Sequence, residues 1–345
     1  MTPTPPLHVT IGTALAGLAG GAVFAYAHLP VPWLAGPMFV VALLAVAGVN
    51  VDVPLLLRDI GFLFGSVSLG ATVTPEALQA IARYPASVIG LALSVVATVW
   101  LCGRMLERVF GWDRATSFLS CVPGALSMVL AMAADSNSDV RKIAIVQAVR
   151  LFALVVGLPL VIQSFAAAAP LTNKAVVTPL GMLILFLAAY GAALIFYKRI
   201  ANPMFLCGMV TSTVLHVSGL VPGELPEPIT IAGMALVGIY AGVRFRGATF
   251  RMVVRYFVPA LAVFAVALII SGLTAYAVHK VTGLDLAAVL VAFAPGGAEA
   301  MIMMGAAMGL DTLYVSTHHV LRTVGLNAVT PFFAPKCADA DTPAA

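Results

Sequence analysis

Long uninterrupted apolar runs fill this chain, at roughly residues 8–28, 33–49, 59–74, 85–103, 115–134, 143–167, 176–197, 203–220, 229–243, 256–278, 284–309 and 313–333. In a bilayer every backbone polar group has to be satisfied by the chain itself, which leaves helices or a closed barrel. The runs are continuous and do not alternate, so helices are expected. Composition leads to the same class. The chain is 61% hydrophobic and 9% charged, whereas a soluble domain is about 25% charged. A soluble protein of 345 residues would lack the polar surface to cover itself.

The formal net charge of +4 is small for this length. It reads as loop arginine, with no basic run interleaved with aromatics to suggest a nucleic-acid partner. The four cysteines, Cys102, Cys121, Cys207 and Cys337, are scattered and form no CxxC pair. Neither a zinc site nor a disulfide framework is expected, and no cofactor is implied. The first residues carry no basic group ahead of the first apolar run, so no cleaved signal peptide is expected.

Two apolar segments are interrupted centrally, at Pro123-Gly124 and at Pro295-Gly296-Gly297. A shift of 172 positions superposes them. The same shift places Asp139 on Asp311, Gln147 on His319, Arg150 on Arg322, and Gly61 and Gly70 on Gly233 and Gly242. Pro37-Met38 matches Pro203-Met204 once a small gap is allowed. The chain thus divides into membrane repeats at residues 1–168 and 176–335, with a short polar tail at 336–345. Such duplication is common among secondary transporters.

Charge sets the orientation of the repeats. If all twelve segments span, basic residues divide seven against nine between the two sides. If each Pro-Gly segment enters and leaves on one side, the division becomes thirteen against three, the minority being Arg83, Lys174 and Lys280. The positive-inside rule selects the second arrangement. It gives about ten spanning helices plus two re-entrant or broken Pro-Gly helices. Each half then has five spans, so the second copy is inverted. An alternative is that the Pro-Gly segments are kinks in continuous spans.

Arg150 and Arg322 are the leading candidate site residues. At about 1.5 Å per residue they lie roughly 12–15 Å inside their helices, near the middle of a core about 30 Å thick. Intramembrane charge is costly and usually functional. Two roles are open: the arginines bind substrate, or they hold carbonyls at a broken helix. The hairpin tips, Pro123, Gly124, Pro295, Gly296 and Gly297, are candidates because a helix start presents free N–H groups and glycine admits a ligand closely. Glu299 lies in the first turn after the second tip, where Ser127 stands in the first half. It is a candidate proton carrier, against the plainer reading of an ion pair or a helix-start contact. His319 shares a helix face with Arg322 and is a second candidate for proton coupling. His318 and His319 point apart and do not suggest one metal. Asp139 and Asp311 read as helix caps. Gly17/Gly21, Gly61/Gly65 and Gly238/Gly242 read as packing pairs.

Leu29-Pro30-Val31-Pro32-Trp33-Leu34-Ala35-Gly36-Pro37-Met38 resembles the opening motif of the bacterial AbrB-type membrane protein family. So do Ala294-Pro295-Gly296-Gly297-Ala298-Glu299, Gly309-Leu310-Asp311 and Thr317-His318-His319-Val320-Leu321-Arg322. The resemblance covers nearly the whole chain. In the first half Ala125 stands where the family usually has a second glycine. The resemblance implies a duplicated inner-membrane protein without a settled activity. Members are labelled ammonia monooxygenases or regulators of gene expression. The name is shared with an unrelated soluble transcription factor, and nothing here resembles a DNA-binding domain.

The reading is a multi-pass protein of the bacterial cytoplasmic membrane that transports a small anionic solute. Arg150, Arg322 and the tips would hold the anion, and Glu299 with His319 would couple it to protons. A monooxygenase and a regulator of gene expression are the alternatives. A homodimer is left open.

Overall fold

In the computed structural model the described residues are 5–73, 84–123, 129, 132–133, 138–162, 176–197 and 202–333. They form an all-α membrane protein. The helices are α1 (Leu7–Tyr26), α2 (Pro32–Val46), α3 (Leu55–Gly70), α4 (Tyr84–Phe110), α5 (Arg114–Cys121), α6 (Val140–Ile162), α7 (Pro179–Phe196), α8 (Pro203–Val217), α9 (Glu227–Val243), α10 (Phe250–Thr282), α11 (Leu286–Phe293), α12 (Ala298–Ala307) and α13 (Thr312–Phe333). Among the described residues, α1, α4, α6, α7 and α10 are long and apolar enough to cross a membrane unaided. Shorter apolar helices, α2, α8, α9 and α12, accompany them.

Helix boundaries recur at the offset found in the sequence. Moving α5 by 172 residues gives the bounds of α11, and α3 and α6 land on α9 and α13 to within a residue. The start signals recur too. Asp113 accepts from Thr116 N ahead of α5, and Asp285 accepts from Ala288 N ahead of α11, both at 2.8 Å. Such caps are worth about 1 kcal/mol each. Asp139 and Asp311 cap α6 and α13 as expected, accepting from Lys142 N at 3.2 Å and from Tyr314 N at 3.0 Å. Gly111 and Gly283, each following a long helix, have φ of +65° and +69°, a conformation that suits glycine.

The described chain separates into two compact units, and each draws on both halves of the sequence. Unit 1 comprises Met1–Ala82, Val155–Gly247 and Glu299–Val315; unit 2 comprises Arg83–Leu154, Ala248–Ala298 and Ser316–Ala345.

In unit 1 the repeat mates α3 and α9 run antiparallel. Gly61 sits against Leu236, Gly65 against Gly233, and Thr230 donates to Ser68 at 3.0 Å. One number rises as the other falls, as inversion of the second half requires. Small residues make the approach possible. A methyl on Gly20 would meet the carbonyl oxygen of Gly36, one on Gly238 that of Leu34, and one on Gly70 that of Met209. Close backbone approach of this kind replaces the missing hydrophobic drive between helices in lipid. α2 and α8 both begin at a proline preceded by a left-handed residue, Val31 and Asn202, each with φ +50°. A β-branched residue is seldom found there, so the tight entry of α2 is held against a local cost.

Unit 2 repeats the arrangement. Cys102 Sγ of α4 lies 3.6 Å from the carbonyl oxygen of Val263 in α10, while Gly90, earlier in α4, faces Val278, later in α10. These repeat mates are therefore antiparallel as well. The buried positions of both helices include small and polar residues: Ser87, Ser94, Thr98 and Cys102 on α4, and Ala260, Ala267, Ser271 and Ala275 on α10. At about 1.5 Å per residue, α5 and α11 reach only about 12 Å. They stop inside the unit, with Cys121 and Phe293 at their ends both buried.

Candidate functional site

α11 ends at Phe293 because Pro295 follows its C-cap residue Ala294 and cannot extend the ladder. That leaves the last carbonyls of the helix without intrahelical donors. α13 supplies donors. Arg322 donates from Nη1 to Ala294 O at 2.6 Å and from Nη2 to Gly296 O at 2.7 Å. His319 Nε2 lies 3.0 Å from Val291 O, and its Nδ1 lies 2.7 Å from Arg322 Nη2. A carbonyl can only accept and a guanidinium can only donate. The ring is therefore the neutral Nε2–H tautomer, giving its proton to Val291 and accepting from Arg322.

The first half builds the same clasp on α5. Gln147 Nε2 donates to Leu119 O at 3.2 Å and to Val122 O at 2.9 Å. Arg150 Nη2 donates to Gln147 Oε1 and reaches Val122 O at 3.5 Å. Each donor and each acceptor is 172 residues from its counterpart: Gln147 and His319, Arg150 and Arg322, Leu119 and Val291, Val122 and Ala294. All four donor side chains are buried. A cation at a helix C-terminus also opposes the negative end of the dipole.

The clasps are not fully occupied. Among the described residues, Arg150 Nη1 and Arg322 Nε are buried and have no hydrogen-bond partner. Among the described residues neither arginine is ion-paired with a carboxylate. Unit 2 thus holds two buried cations, each with a donor that finds no partner among the described residues. An anion bound at either donor would satisfy it and offset a buried charge.

The remaining sequence candidates fall as follows. Pro123, Pro295 and Gly296 are buried and Gly297 is half-buried. Gly124, Ala125 and Ser127 lie outside the described residues. Glu299 is half-buried in the first turn of α12, and its carboxylate accepts from Asn202 Nδ2 within unit 1. His318 is within 2.8 Å of Ser87 Oγ and packs on the rings of Tyr84 and Phe293. Cys102, Cys121 and Cys207 are buried free thiols. Among the described residues no group of three or more His, Cys, Asp and Glu side chains converges as metal ligands would.

Sequence reasoning did not single out Gln147 or Asn202 as site residues. The offset pointed to the first, since it superposes Gln147 on His319. Asn202 left only a weak sign, a polar residue ahead of Pro203 where the first half has Val31.

The family model described as "Transition state regulatory protein AbrB" matches residues 33–337. Among curated proteins, the chain is 26% identical over 353 residues to "Uncharacterized protein YhjN" of Bacillus subtilis (strain 168), covering 91% of this chain and 89% of the relative. It is 23% identical over 325 residues to "Putative regulator AbrB" of Escherichia coli (strain K12), covering 90% and 91%.

Proposed function

We propose that this chain, which belongs to the AbrB family, is a secondary transporter of a small anionic solute in the bacterial cytoplasmic membrane. The observation that carries the reading is the pair of clasped arginines in unit 2. Charge in a membrane core is costly and is found where it binds substrate or ions. Among the described residues these two cations have no carboxylate partner, and each keeps a buried N–H donor unused. Inverted repeats with broken helices support the same reading, because transporters of that design bind substrate at the breaks.

The arginines have two tasks in this scheme. Their carbonyl contacts fix the ends of α5 and α11, and their spare donors, with the tips at Pro123-Gly124 and Pro295-Gly296-Gly297, face the anion. Proton coupling falls to Glu299 and His319. The Glu299 carboxylate accepts from Asn202 in the first turn of α12, beside the second tip. His319 accepts from Arg322 only while neutral, so a proton on Nδ1 would open the second clasp.

The test is a thermal-stability screen of the purified protein against small mono-, di- and tricarboxylates, phosphate and sulfate, followed by uptake into proteoliposomes. A native-state ligand raises the unfolding temperature. Anions that both stabilise and enter vesicles are expected. Stabilisation by neutral or cationic compounds alone would overturn the reading. The names of the family model and of the Escherichia coli relative favour a regulator. That reading requires expression changes in a deletion strain that a transport-dead, fully folded variant still restores to normal.

A further inference from the structure

A cavity of about 430 Å³ opens in unit 2 between α4, α5 and α13. This lies within the range of about 300–1,000 Å³ common for ligand sites. Its polar and apolar parts are separated along its length. Arg104, Glu107 and Arg114 stand at one end. The rest of the lining is mostly apolar, including Val95, Val99, Phe118, Val122 and Leu326. Buried Thr330 is the other polar side chain of the lining.

Three features specify the occupant. First, length: Val95 to Glu107 is twelve residues along α4, about 18 Å at 1.5 Å per residue. One leaflet of a hydrocarbon core about 30 Å thick is about 15 Å deep. The groove therefore matches a single acyl chain lying in one leaflet. Second, charge: two arginines against one glutamate leave the mouth one positive charge, and both arginines are exposed. The charge division in the sequence assigns this end to the cytoplasmic side, where the leaflet is anionic. Third, Arg104 lies over the ring of Trp100, 5.8 Å from its centroid, and Trp100 is 59% exposed. Tryptophan favours the headgroup level of a bilayer.

We infer that this groove binds one anionic phospholipid, its phosphodiester at Arg104 and Arg114 and one acyl chain along Val95, Val99 and Gly103. Glu107 lies at the same mouth and would accept from headgroup hydroxyls. Gly103 leaves the groove open: a Cβ there would have no atom within 4 Å. Val122, whose carbonyl Arg150 reaches, is part of the lining. A seated lipid would therefore pack against a residue of the first clasp.

The experiment combines native mass spectrometry and thermal unfolding of the full-length protein in mild detergent. Phosphatidylglycerol, phosphatidylcholine and inorganic phosphate are added separately. The expected result is a one-to-one phosphatidylglycerol adduct and a larger upward shift in unfolding temperature with phosphatidylglycerol than with phosphatidylcholine. Gly103→Phe, which fills the groove, should lose both. Arg104→Gln with Arg114→Gln should bind the two lipids alike. The inference is overturned if Gly103→Phe keeps the adduct, if phosphatidylcholine matches phosphatidylglycerol on the unaltered protein, or if phosphate alone gives the whole shift. The last result would mean a small-solute site. Should Gly103→Phe fail to fold, the double arginine variant decides the matter, because both side chains are exposed and removable. A phosphatidylglycerol preference surviving there overturns the assignment.

Discussion

Gln147 and His319 hold the same acceptor 172 residues apart, the carbonyl oxygen two residues before the end of a broken helix, Leu119 in one half and Val291 in the other. The glutamine shows what the histidine position needs mechanically: one donor toward the carbonyl and one acceptor toward the arginine. The histidine adds a group that can take a proton. Symmetry thus separates a structural requirement, common to both halves, from a chemical one, present in the second half alone.

A direct prediction is that His319→Gln folds with the stability of the unaltered protein, because Gln147 already performs the clasp. The variant should also lose sensitivity to acid. In the unaltered protein, protonation of Nδ1 sets an N–H against the Arg322 donor, so stability should fall as pH drops through the titration of His319. Thermal unfolding from neutral to mildly acidic pH checks this. A parallel decline in both proteins would remove His319 from any proton-linked step.

The two arginines should differ in structural weight. Arg322 makes two short bonds to carbonyls, whereas Arg150 reaches one at 3.5 Å and leaves the closer contacts to Gln147. A hydrogen bond to a charged group is worth about 1.5–3 kcal/mol. Arg322→Gln is therefore expected to lower the unfolding temperature more than Arg150→Gln. Both variants should lose binding of the transported anion. Equal losses of stability would mean that the carbonyl contacts do not set the weight of each clasp.

Much of this was legible in the sequence, and the reason is repetition. Pro-Gly breaks, aspartate caps and intramembrane arginines are side-chain signals, and a duplicated chain states each of them twice. The inversion was read from charge alone and is seen in the contact order of α3 with α9 and of α4 with α10. The acceptors of the arginines were not legible. Backbone carbonyls are present at every residue, so nothing in the sequence marks those of Val291, Ala294 or Gly296. The pairing of Asn202 with Glu299 joins residues 97 positions apart that have no matching pair in the other half to reveal them. Nor does the sequence announce that each compact unit mixes the halves, since that follows from inverted helices packing on their own mates.

Glycine substitutions should separate packing from tolerance. A methyl on Gly36 would strike the carbonyl of Gly20, and nothing lies within 4 Å of one on Gly272. Gly36→Ala is expected to destabilise by roughly 1–3 kcal/mol, the cost of overpacking, whereas Gly272→Ala is expected to be neutral or mildly stabilising. Unfolding temperatures of the two variants in one detergent give the comparison.

Topology offers a test of the charge division. Arg108 lies in the last turn of α4 and Arg251 in the first turn of α10, and both are exposed. They occupy loops that are not equivalent in the two repeats, yet both are expected on the cytoplasmic side. Arg108→Cys and Arg251→Cys, in a background with Cys337 replaced, should resist an impermeant maleimide on intact cells and react after the membrane is opened. Labelling of either from outside would end the inverted assignment.

Glu299 is where coupling and binding can be told apart. It stands in the first turn of α12, three residues after Gly296, and its carboxylate accepts from Asn202, itself held in a left-handed conformation ahead of α8. Glutamine in its place keeps the shape and an acceptor oxygen, so folding should survive. What glutamine cannot do is alternate between charged and neutral states. If protons drive transport through this group, Glu299→Gln should retain exchange of internal for external solute and lose accumulation driven by a proton gradient. Asn202→Ala removes the donor and leaves the carboxylate in place. It should keep gradient-driven uptake. The measurement is counterflow alongside gradient-driven uptake in the same proteoliposomes across a pH series. Gradient-driven uptake unchanged in Glu299→Gln would take the residue out of the coupling step, and loss of exchange as well would reassign it to the binding of the solute.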